Sequence, residues 1–414
     1  MHTPQDTSLP ADSAEEYVRL VLAVGTHDAD YVDAYYGPPE WKAETTAASP
    51  SLETIEERAR RLLASLEAYG DPAPEEIGKL RLRYLLCQTR ALVARVQMLR
   101  GRKFSFDEES RALYDAVAPT HTEEVFEGLL EDVGALLPGA GDIPERFEAH
   151  KRDFIVPRER LDRVFTAAIA EGRARSAAHI MLPAGEEFSV EYVTGKPWSG
   201  YNWYKGHGRS LIQMNVDFPI SIDRAVDLAC HEGYPGHHVY NSLLEQTLVR
   251  ARGWMEFSVY ALFSPQSLIA EGTANFGIDM AFPGHERLVF EREVLFPLAR
   301  LDRDRAEQYY RVHALVQRLA YAGNEAARRY LNGAISRQDA ARWLVRYALM
   351  SPDRAMQRTQ FFDAYRSYVI NYNLGQDMVR RYVEAQGGTP GRPSKRWALF
   401  THLISTPQVP SLLV

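Results

Sequence analysis

Cysteine is scarce in this 414-residue sequence, which has only Cys87 and Cys230, far apart in the chain. Disulfide bonds therefore cannot form the framework of the fold, and both residues are expected to be buried, reduced thiols. There is no run of about 18 or more apolar residues, which excludes a membrane-spanning helix. The first residues are polar and lack the apolar core of a secretory signal, so the sequence predicts a cytoplasmic protein with no membrane partner.

Basic residues are fewer than acidic ones. The 48 lysines and arginines against 55 aspartates and glutamates leave a net charge of −7. Binding to nucleic acid needs a basic surface, so nucleic acid is not expected as a partner. Hydrophobic residues make up 45% and charged residues 25%, which is typical of a globular protein. A chain of this length can bury a large core.

Helical periodicity dominates the sequence, and it predicts a mainly α fold. Residues 1–11 are expected to be disordered and residues 12–414 to form a single, mostly helical catalytic domain. Its parts are N-terminal helices over 12–181, a small antiparallel β-sheet over 187–218 and further helices over 220–414. The individual helices are predicted at about 51–69, 74–101, 105–117, 121–136, 157–181, 297–333, 336–349, 354–366 and 368–386.

The segment that follows the predicted sheet reads His-Glu-Gly-Tyr-Pro-Gly-His-His, from His231 to His238. A common helical zinc site has two histidines one turn apart and a glutamate as general base. Here Pro235 occupies the position one turn after His231. On a straight helix His237 would point about 240° away from His231, and His238 would lie about 10 Å further along the axis.

A break in the helix removes this difficulty. Pro235 cannot sit in a regular helix interior, and Gly236 can adopt backbone angles that other residues avoid. A distortion at these two residues can bring a second histidine back towards His231. The residues alone leave both His237 and His238 open as the second metal ligand.

A third ligand is expected from a later helix. Glu271 lies in an otherwise apolar stretch, where a carboxylate is costly unless it is paired or bound to a metal. Asn275 follows one turn later on the same face and could hold a histidine ligand in the required tautomer. The pattern therefore predicts a metal site.

These motifs resemble the bacterial family known as domain of unknown function 885. The shared residues are His-Glu-x-x-Pro-Gly-His at 231–237, Glu-Gly-x-Ala at 271–274, with Thr273 where the family has tryptophan, and Tyr-x-x-Gly at 372–375. Members look like zincin metallopeptidases of the gluzincin type, distantly similar to neurolysin, thimet oligopeptidase and angiotensin-converting enzyme. The resemblance implies a multi-helix, neurolysin-like zincin fold whose sheet precedes the metal-binding helix.

The resemblance also implies a site and a mechanism. Zn²⁺ would be bound by His231, His237 and Glu271, and it would lower the pKa of a water molecule. Glu232 would take the proton and later give it to the leaving amine. Tyr372 would donate a hydrogen bond to the developing oxyanion.

Residues for substrate binding are expected around the predicted sheet. The strand over 211–216 would pair with an extended peptide, and Asn215 and Tyr204 are candidate substrate contacts. Arg354 and Arg366 are candidates for holding a substrate carboxylate.

The sequence thus predicts a zinc-dependent metallohydrolase, a peptidase that cleaves small peptides. One alternative is a zinc hydrolase of non-peptide amides or modified peptides, which would use the same catalytic residues. A further alternative is a non-catalytic, metal-binding helical protein. The intact Glu232 counts against that alternative, because a binding protein needs no base there.

Overall fold

The structure is a computed structural model that describes residues 9–10, 12–70 and 75–413. The disorder predicted for residues 1–11 falls, apart from residues 9 and 10, outside the described residues. Helices make up most of the described chain, in agreement with the predicted mainly α class. Among the described helices, none combines the length and the apolar character that crossing a membrane requires.

The N-terminal part is built from amphipathic helices whose apolar stripes face a common core. The Ser51 hydroxyl accepts a hydrogen bond from the Thr54 N–H at the start of the third helix, and Ser105 and Glu108 form a capping box at the fifth. These caps explain why both helices begin close to their predicted positions. The elements are α1 (Ser13–Gly25), β1 (Val32–Tyr35), α2 (Pro39–Ala48), α3 (Leu52–Tyr69), α4 (Glu76–Leu99), α5 (Phe106–Tyr114), α6 (Glu123–Leu136), α7 (Ile143–Arg152) and α8 (Leu161–Ala177).

A three-stranded sheet follows, made of β2 (Glu187–Val193), β3 (Gly200–Gly206) and β4 (Arg209–Asn215) in the order β2-β4-β3. β4 pairs antiparallel with β3 but parallel with β2. The prediction of an antiparallel sheet is therefore wrong for one of its two pairings. Alternating side chains indicate which face of a strand is buried, but they carry no information about the direction of its neighbour.

A second, two-stranded sheet joins β1 to β5 (Val259–Ala261). The prediction that β structure is confined to 187–218 is therefore wrong. These strands have four and three residues, which is too short for a recognisable alternation, and their pairing joins distant parts of the chain.

The C-terminal helices include a correction to the predicted helix over 297–333. Arg300 adopts a φ of 59° after α13, and three hydrogen bonds from residue i to i−3 form a turn over 318–320. No glycine or proline marks either interruption. The helices are α9 (Asp223–Leu228), α10 (His237–Leu244), α11 (Pro265–Ala281), α12 (His285–Phe290), α13 (Phe296–Ala299), α14 (Ala306–Gln317), α15 (Tyr321–Leu331), α16 (Arg337–Tyr347), α17 (Pro352–Tyr365), α18 (Ile370–Ala385) and α19 (Pro393–Ser405).

Two hydrophobic clusters hold these elements together. The larger cluster extends in sequence from Tyr17 to Leu413, and the smaller one lies around α8, α9 and α14. Cys230 belongs to the smaller cluster, whereas Tyr234 belongs to the larger one. The segment with the predicted metal ligands therefore passes from one core to the other.

Candidate metal centre

The helix that carries His231 is interrupted at the predicted place. α9 continues as a π-helical turn over Ala229–Gly233, the peptide bond between Tyr234 and Pro235 is cis, and α10 begins at His237. Proline lacks the N–H that a helix needs and its ring clashes with the preceding turn. The predicted break at Pro235 and Gly236 is confirmed.

Gly236 lets the backbone fold back on itself. Its N–H donates to the Cys230 carbonyl at 2.9 Å, and a Cβ at this position would lie 1.9 Å from the carbonyl oxygen of His231. No other residue fits such a close approach. The fold-back places the ring of His237 against that of His231, with ring centroids 4.6 Å apart.

Three potential ligand atoms converge at this fold-back. His231 Nε2 lies 3.1 Å from His237 Nε2 and 3.2 Å from Glu271 Oε2, and the third separation, from His237 Nε2 to Glu271 Oε2, is 3.7 Å. Ligands about 2.0–2.2 Å from one tetrahedral zinc ion lie about 3.3–3.6 Å from one another. The spacing of these atoms, called here the histidine–glutamate cluster, therefore fits a tetrahedral zinc ion.

The surroundings of the Glu271 carboxylate also favour a bound cation at this position. Its Oε1 accepts a hydrogen bond from the Tyr368 hydroxyl at 2.7 Å, whereas its buried Oε2 has no hydrogen-bond partner. An unsatisfied buried carboxylate oxygen is costly unless a cation is close to it. Burial would raise the pKa of Glu271, but the close contacts with His231 and His237, at 3.2 and 3.7 Å, and their charge hold it well below its ordinary value.

The acids around His231 favour its protonated form. Burial by itself would lower the pKa of His231, but its contact with Glu271 Oε2 at 3.2 Å and the charges of Glu232 and Glu271 raise it to about 9. The metal-free protein therefore keeps a proton on this ring at neutral pH.

Asn275 fixes the orientation of the His231 ring. Its Nδ2 donates to the backbone carbonyl of Tyr372 at 2.9 Å, so its Oδ1 is the atom that faces His231 Nδ1, also at 2.9 Å. An amide oxygen only accepts, so His231 Nδ1 carries hydrogen in this contact. In the neutral ring, Nε2 then has a free lone pair directed at the cluster, as a metal ligand requires.

His238 points away from the cluster. Its Nδ1 lies 2.9 Å from the Ser210 hydroxyl and its Nε2 lies 2.8 Å from Glu186 Oε2, and the ring is completely buried. The geometry therefore favours His237 as the second ligand, and His238 ties α10 to the sheet.

A close helix crossing brings Glu271 to the site. A Cβ on Gly272 would lie 2.4 Å from the backbone carbon of Gly375, and a Cβ on Gly375 would lie 2.7 Å from the carbonyl oxygen of Leu268. Only glycine permits this approach of α11 to α18. The two motifs at 271–274 and 372–375 are thus the two sides of one crossing, which brings Glu271 and Tyr372 to the same cavity.

Glu232 also faces the cavity and is buried. A Cβ on Gly200 would lie 2.8 Å from its Oε1, so glycine at the start of β3 leaves room for the carboxylate. Burial raises the pKa of Glu232, and the positive charges of His231 and His237 oppose that rise only in part. The group therefore holds a proton more readily than an exposed glutamate does.

Tyr372 lines the same cavity, and its hydroxyl has no hydrogen-bond partner within the described part of the chain. Burial and the charge of Glu271 raise its pKa well above the ordinary value, so the hydroxyl stays protonated at neutral pH. Sequence reasoning missed Tyr368, which hydrogen-bonds Glu271. The feature of the sequence that points to Tyr368 is its position four residues, or about one helical turn, before Tyr372.

The two predicted substrate contacts have other roles. Asn215 lines the cavity, but its Nδ2 donates to the carbonyls of Lys196 and Trp198 and its Oδ1 accepts from the Asp217 N–H. Its side chain therefore holds the loop between β2 and β3, and the prediction that it binds substrate is not supported by this geometry. Loop capture is a frequent role for asparagine, and a single sequence does not distinguish it from ligand binding.

Tyr204 does not line the cavity. It is buried, and its hydroxyl donates to Glu245 and accepts from the Gly208 N–H at 3.0 Å. Its partner Glu245 lies 41 residues further along the chain, and a single sequence does not reveal such a distant pairing.

The predicted pairing of strand 211–216 with substrate also fails. β4 is the central strand, and its two edges are hydrogen-bonded to β2 and β3. Among the described strands, none pairs with the outer edge of β3. Gly200, Tyr201 and Asn202 of β3 line the cavity, so of the two outer edges of the sheet the edge of β3 is the one that lies at the cavity.

The cavity has a volume of about 1050 Å³ and contains a further acid, Asp33, which sequence reasoning missed. Asp33 lies in β1 and accepts a hydrogen bond from the Tyr201 hydroxyl. Burial raises the pKa of Asp33 to about 6, although Tyr201 and His237 act to lower it. A carboxylate within an otherwise apolar and aromatic stretch, at 31–36, was the available signal.

A second group of potential metal ligands lines the same cavity. Asp223 and Asp227 lie one turn apart on α9, and His313 Nε2 lies 3.2 Å from Asp223 Oδ2. This group, called here the aspartate–histidine cluster, already contains fixed cations. Asp227 contacts Arg287 at 2.9 Å and Arg224 at 3.3 Å.

The predicted carboxylate-binding arginines differ in their surroundings. Arg366 donates to the buried Glu109 at 2.6 Å, so it is already engaged, and the prediction for it is not supported. Arg354 lines the cavity. Arg358, one turn further along α17, lines it as well and was missed by sequence reasoning.

Among known proteins, similarity to this chain was found in the fold and not in the sequence. The sequence matches no protein-family model and no curated protein. The fold is similar to the crystal structure described as that of "the putative lipoprotein from Colwellia psychrerythraea", with a TM-score of 0.54 and 14% sequence identity. The match covers 88% of this chain and 68% of the other. The resemblance to the domain of unknown function 885 family stays a prediction.

Proposed function

We propose that the protein is a zinc-dependent metallohydrolase of the zincin type and that it cleaves peptides. One observation carries the proposal. His231 Nε2, His237 Nε2 and Glu271 Oε2 lie 3.1–3.7 Å apart beside the buried carboxylate of Glu232, in a cavity of about 1050 Å³. A site of this composition is typical of metal-assisted hydrolysis.

The helical architecture, with a small sheet before the metal-binding helix, supports a neurolysin-like zincin fold. The motifs shared with the domain of unknown function 885 family point the same way.

The chemistry divides between the ion and the chain. Zinc, when bound, supplies a Lewis acid that polarises a carbonyl group and lowers the pKa of water. Glu232, buried in the cavity beside the histidine–glutamate cluster, takes the proton from the attacking water and returns it to the leaving amine. Tyr372, protonated at neutral pH, donates a hydrogen bond to the oxygen that becomes anionic.

The outer edge of β3 orients the substrate in this proposal. Residues 200–202 of this strand line the cavity next to Glu232, and in this proposal an extended peptide adds to β3 as a further strand. Backbone pairing of this kind favours peptides over small amides, which lack a chain to pair.

Zinc content and turnover test the proposal together. The purified wild-type protein should bind one zinc ion per chain in elemental analysis and cleave members of a short-peptide panel. Glu232→Gln should retain zinc and lose about 10²–10⁴ in kcat. Glu187→Gln makes the same chemical change at a side chain that is 63% exposed on β2, and it should leave both unchanged.

Three outcomes would contradict parts of the proposal. A protein that binds no zinc, or a Glu232→Gln variant with full activity, would rule out the mechanism. Cleavage of small amides but not of peptides would favour the rival amide hydrolase. Zinc binding without turnover of either class would favour a non-catalytic protein.

A further inference from the structure

α17 presents two arginines, Arg354 and Arg358, to the cavity, one helical turn apart. Within the described part of the chain, neither guanidinium has an ion pair or a hydrogen bond. Buried or half-buried arginines without an acidic partner are unusual, because the charge must be removed from water without compensation.

Other arginines on the cavity wall are already paired. Arg287 contacts Asp227 at 2.9 Å, and Arg380 contacts Asp279 at 2.6 Å. The protein therefore places acids beside some cavity arginines and leaves Arg354 and Arg358 free for another anion.

Arg358 lies on the cavity wall beside Tyr372, with its Cζ 5.7 Å from the centroid of the Tyr372 ring. Burial lowers its pKa, and the two groups that oppose this effect are Tyr372 and Glu271. The groups that act on Arg354 are instead Arg224, Glu148 and Asp223, and Asp223 belongs to the aspartate–histidine cluster. Of the two arginines, Arg358 is the one near the reacting centre.

Aromatic rings hold the Arg358 side chain in place. Its Cζ lies 4.1 Å from the ring centroid of Phe361 and 5.7 Å from that of Tyr372. These cation–π contacts restrain the planar guanidinium but use none of its N–H donors. A group with two acceptor oxygens in one plane, such as a carboxylate, matches the free donors.

We infer that Arg358 binds a carboxylate of the peptide substrate and so determines specificity, an inference that rests on the proposed peptidase function. The carboxylate can come from the C-terminus of the peptide or from an acidic side chain. In the first case the enzyme removes residues from the C-terminus, and in the second it cleaves next to acidic residues.

Three peptides distinguish these sources. The first is acetyl-Ala-Ala-Phe-Ala with a free C-terminal carboxylate. The second is the same peptide with a C-terminal amide. The third is acetyl-Ala-Ala-Phe-Glu with a C-terminal amide, so that its only carboxylate is the glutamate side chain. Affinities are measured by calorimetry in the zinc-loaded Glu232→Gln protein, and kcat/KM is measured with Glu232 intact. Each measurement is repeated with Arg358→Gln, Arg358→Lys and Arg380→Gln.

At least one of the two carboxylate-bearing peptides should bind about 100-fold more tightly than the plain amide and show a similar advantage in kcat/KM. Arg358→Gln should abolish that advantage without weakening binding of the amide, and Arg358→Lys should restore part of it. Arg380→Gln removes the same positive charge at an arginine that is already paired with Asp279, so the preference for carboxylate-bearing peptides should remain in this variant. A general loss of structure would affect all three peptides alike.

The failure of the inference differs from that of the proposed function. Equal affinity for the three peptides, or a carboxylate preference that survives in Arg358→Gln, would overturn the inference. A carboxylate preference that depends on Arg358, combined with no hydrolysis by the protein with Glu232 intact, would support the anion site and overturn the peptidase.

Discussion

The histidine–glutamate and aspartate–histidine clusters share one cavity, and α9 with its π-helical extension carries residues of both. Asp223, Asp227 and His231 follow one another at intervals of four residues on this helix. Each cluster combines histidine with carboxylates, so residue type alone does not distinguish them.

The difference lies in the cations that surround each cluster. Arg287 and Arg224 neutralise Asp227, and His313 lies against Asp223. Burial would raise the pKa of Asp223, but the hydrogen bond and charge of His313 hold it well below the ordinary value. The aspartate–histidine cluster is therefore complete as an ion-pair network.

No arginine or lysine pairs with the acids around the histidine–glutamate cluster in the described residues. Burial raises the pKa of both Glu232 and Asp33, and Glu271 Oε2 lacks a hydrogen-bond partner. A divalent cation would lower the free energy of all three groups. A metal site is thus recognised by acids that lack an arginine or lysine partner as much as by its ligands.

The largest expected effect concerns zinc content. His231→Ala removes a ligand from the histidine–glutamate cluster and should weaken zinc binding by more than the roughly 10–100-fold that loss of an outer partner causes. His313→Ala, the same change in the other cluster, should leave zinc content unchanged. Elemental analysis after dialysis measures the zinc content of both variants. Equal loss of zinc in the two variants would contradict the assignment of zinc to the histidine–glutamate cluster alone.

The second effect concerns the stability contributed by Arg287, whose guanidinium contacts Asp227 of the aspartate–histidine cluster. Arg287→Met leaves Asp227 without its closest cation and should lower the free energy of unfolding by about 3–5 kcal/mol, measured by urea denaturation. Zinc content should not change. Arg380→Met, at an arginine that is 39% exposed, should cost at most about 1 kcal/mol. An Arg287→Met variant as stable as the wild type would contradict the view that this cluster is an ion-pair network.

A smaller effect is expected from Asn275, which orients only one ligand. Asn275→Ala should weaken zinc affinity by roughly 10–100-fold, because the His231 ring loses the acceptor at its Nδ1. Asn275→Asp keeps an acceptor oxygen and should recover most of the affinity. Titration against a competing chelator measures these differences, and an unchanged affinity in Asn275→Ala would remove Asn275 from the site.

The smallest effect depends on pH. The pKa of Asp33 is raised to about 6 in the metal-free protein, so the folded state binds its proton more tightly than the unfolded state does. Its contribution to stability is complete below about pH 4 and is lost as the pH rises to about 6. The metal-free Asp33→Asn variant should therefore match the wild type at pH 4 and exceed it by about 1–2 kcal/mol at pH 7, which is less than the full pKa shift corresponds to because Asp33 is partly exposed and solvent screens its charge. The same difference at both pH values would contradict this assignment.

Sequence reasoning reached the parts of the site that depend on local chemistry. Pro235 and Gly236 break a helix wherever they occur in its interior, and the structure breaks there. A carboxylate in an apolar helix needs a partner, which singled out Glu271. Asn275 followed from helical spacing relative to Glu271, and it lies against His231 as expected.

The errors concern partners that lie far away in the sequence. Side-chain alternation predicted strands over 187–218 but not that β4 would be central and parallel to β2. The same limit explains Asn215 and Tyr204, whose hydrogen-bonding groups are taken up by a loop and by Glu245. The partners of a polar side chain are set by packing, and its type does not reveal them.

Three features of the protein follow from the sequence alone: the mainly helical fold, the helix break at Pro235 and the buried acid Glu271. The first two follow from backbone geometry, and the third follows from the cost of burying a charge without a partner. Tertiary structure decided between His237 and His238, since Ser210 and Glu186 hold the His238 ring while the fold-back directs His237 towards His231. It also decided which cavity acids have arginine partners, because charge compensation depends on distances that only the folded chain defines.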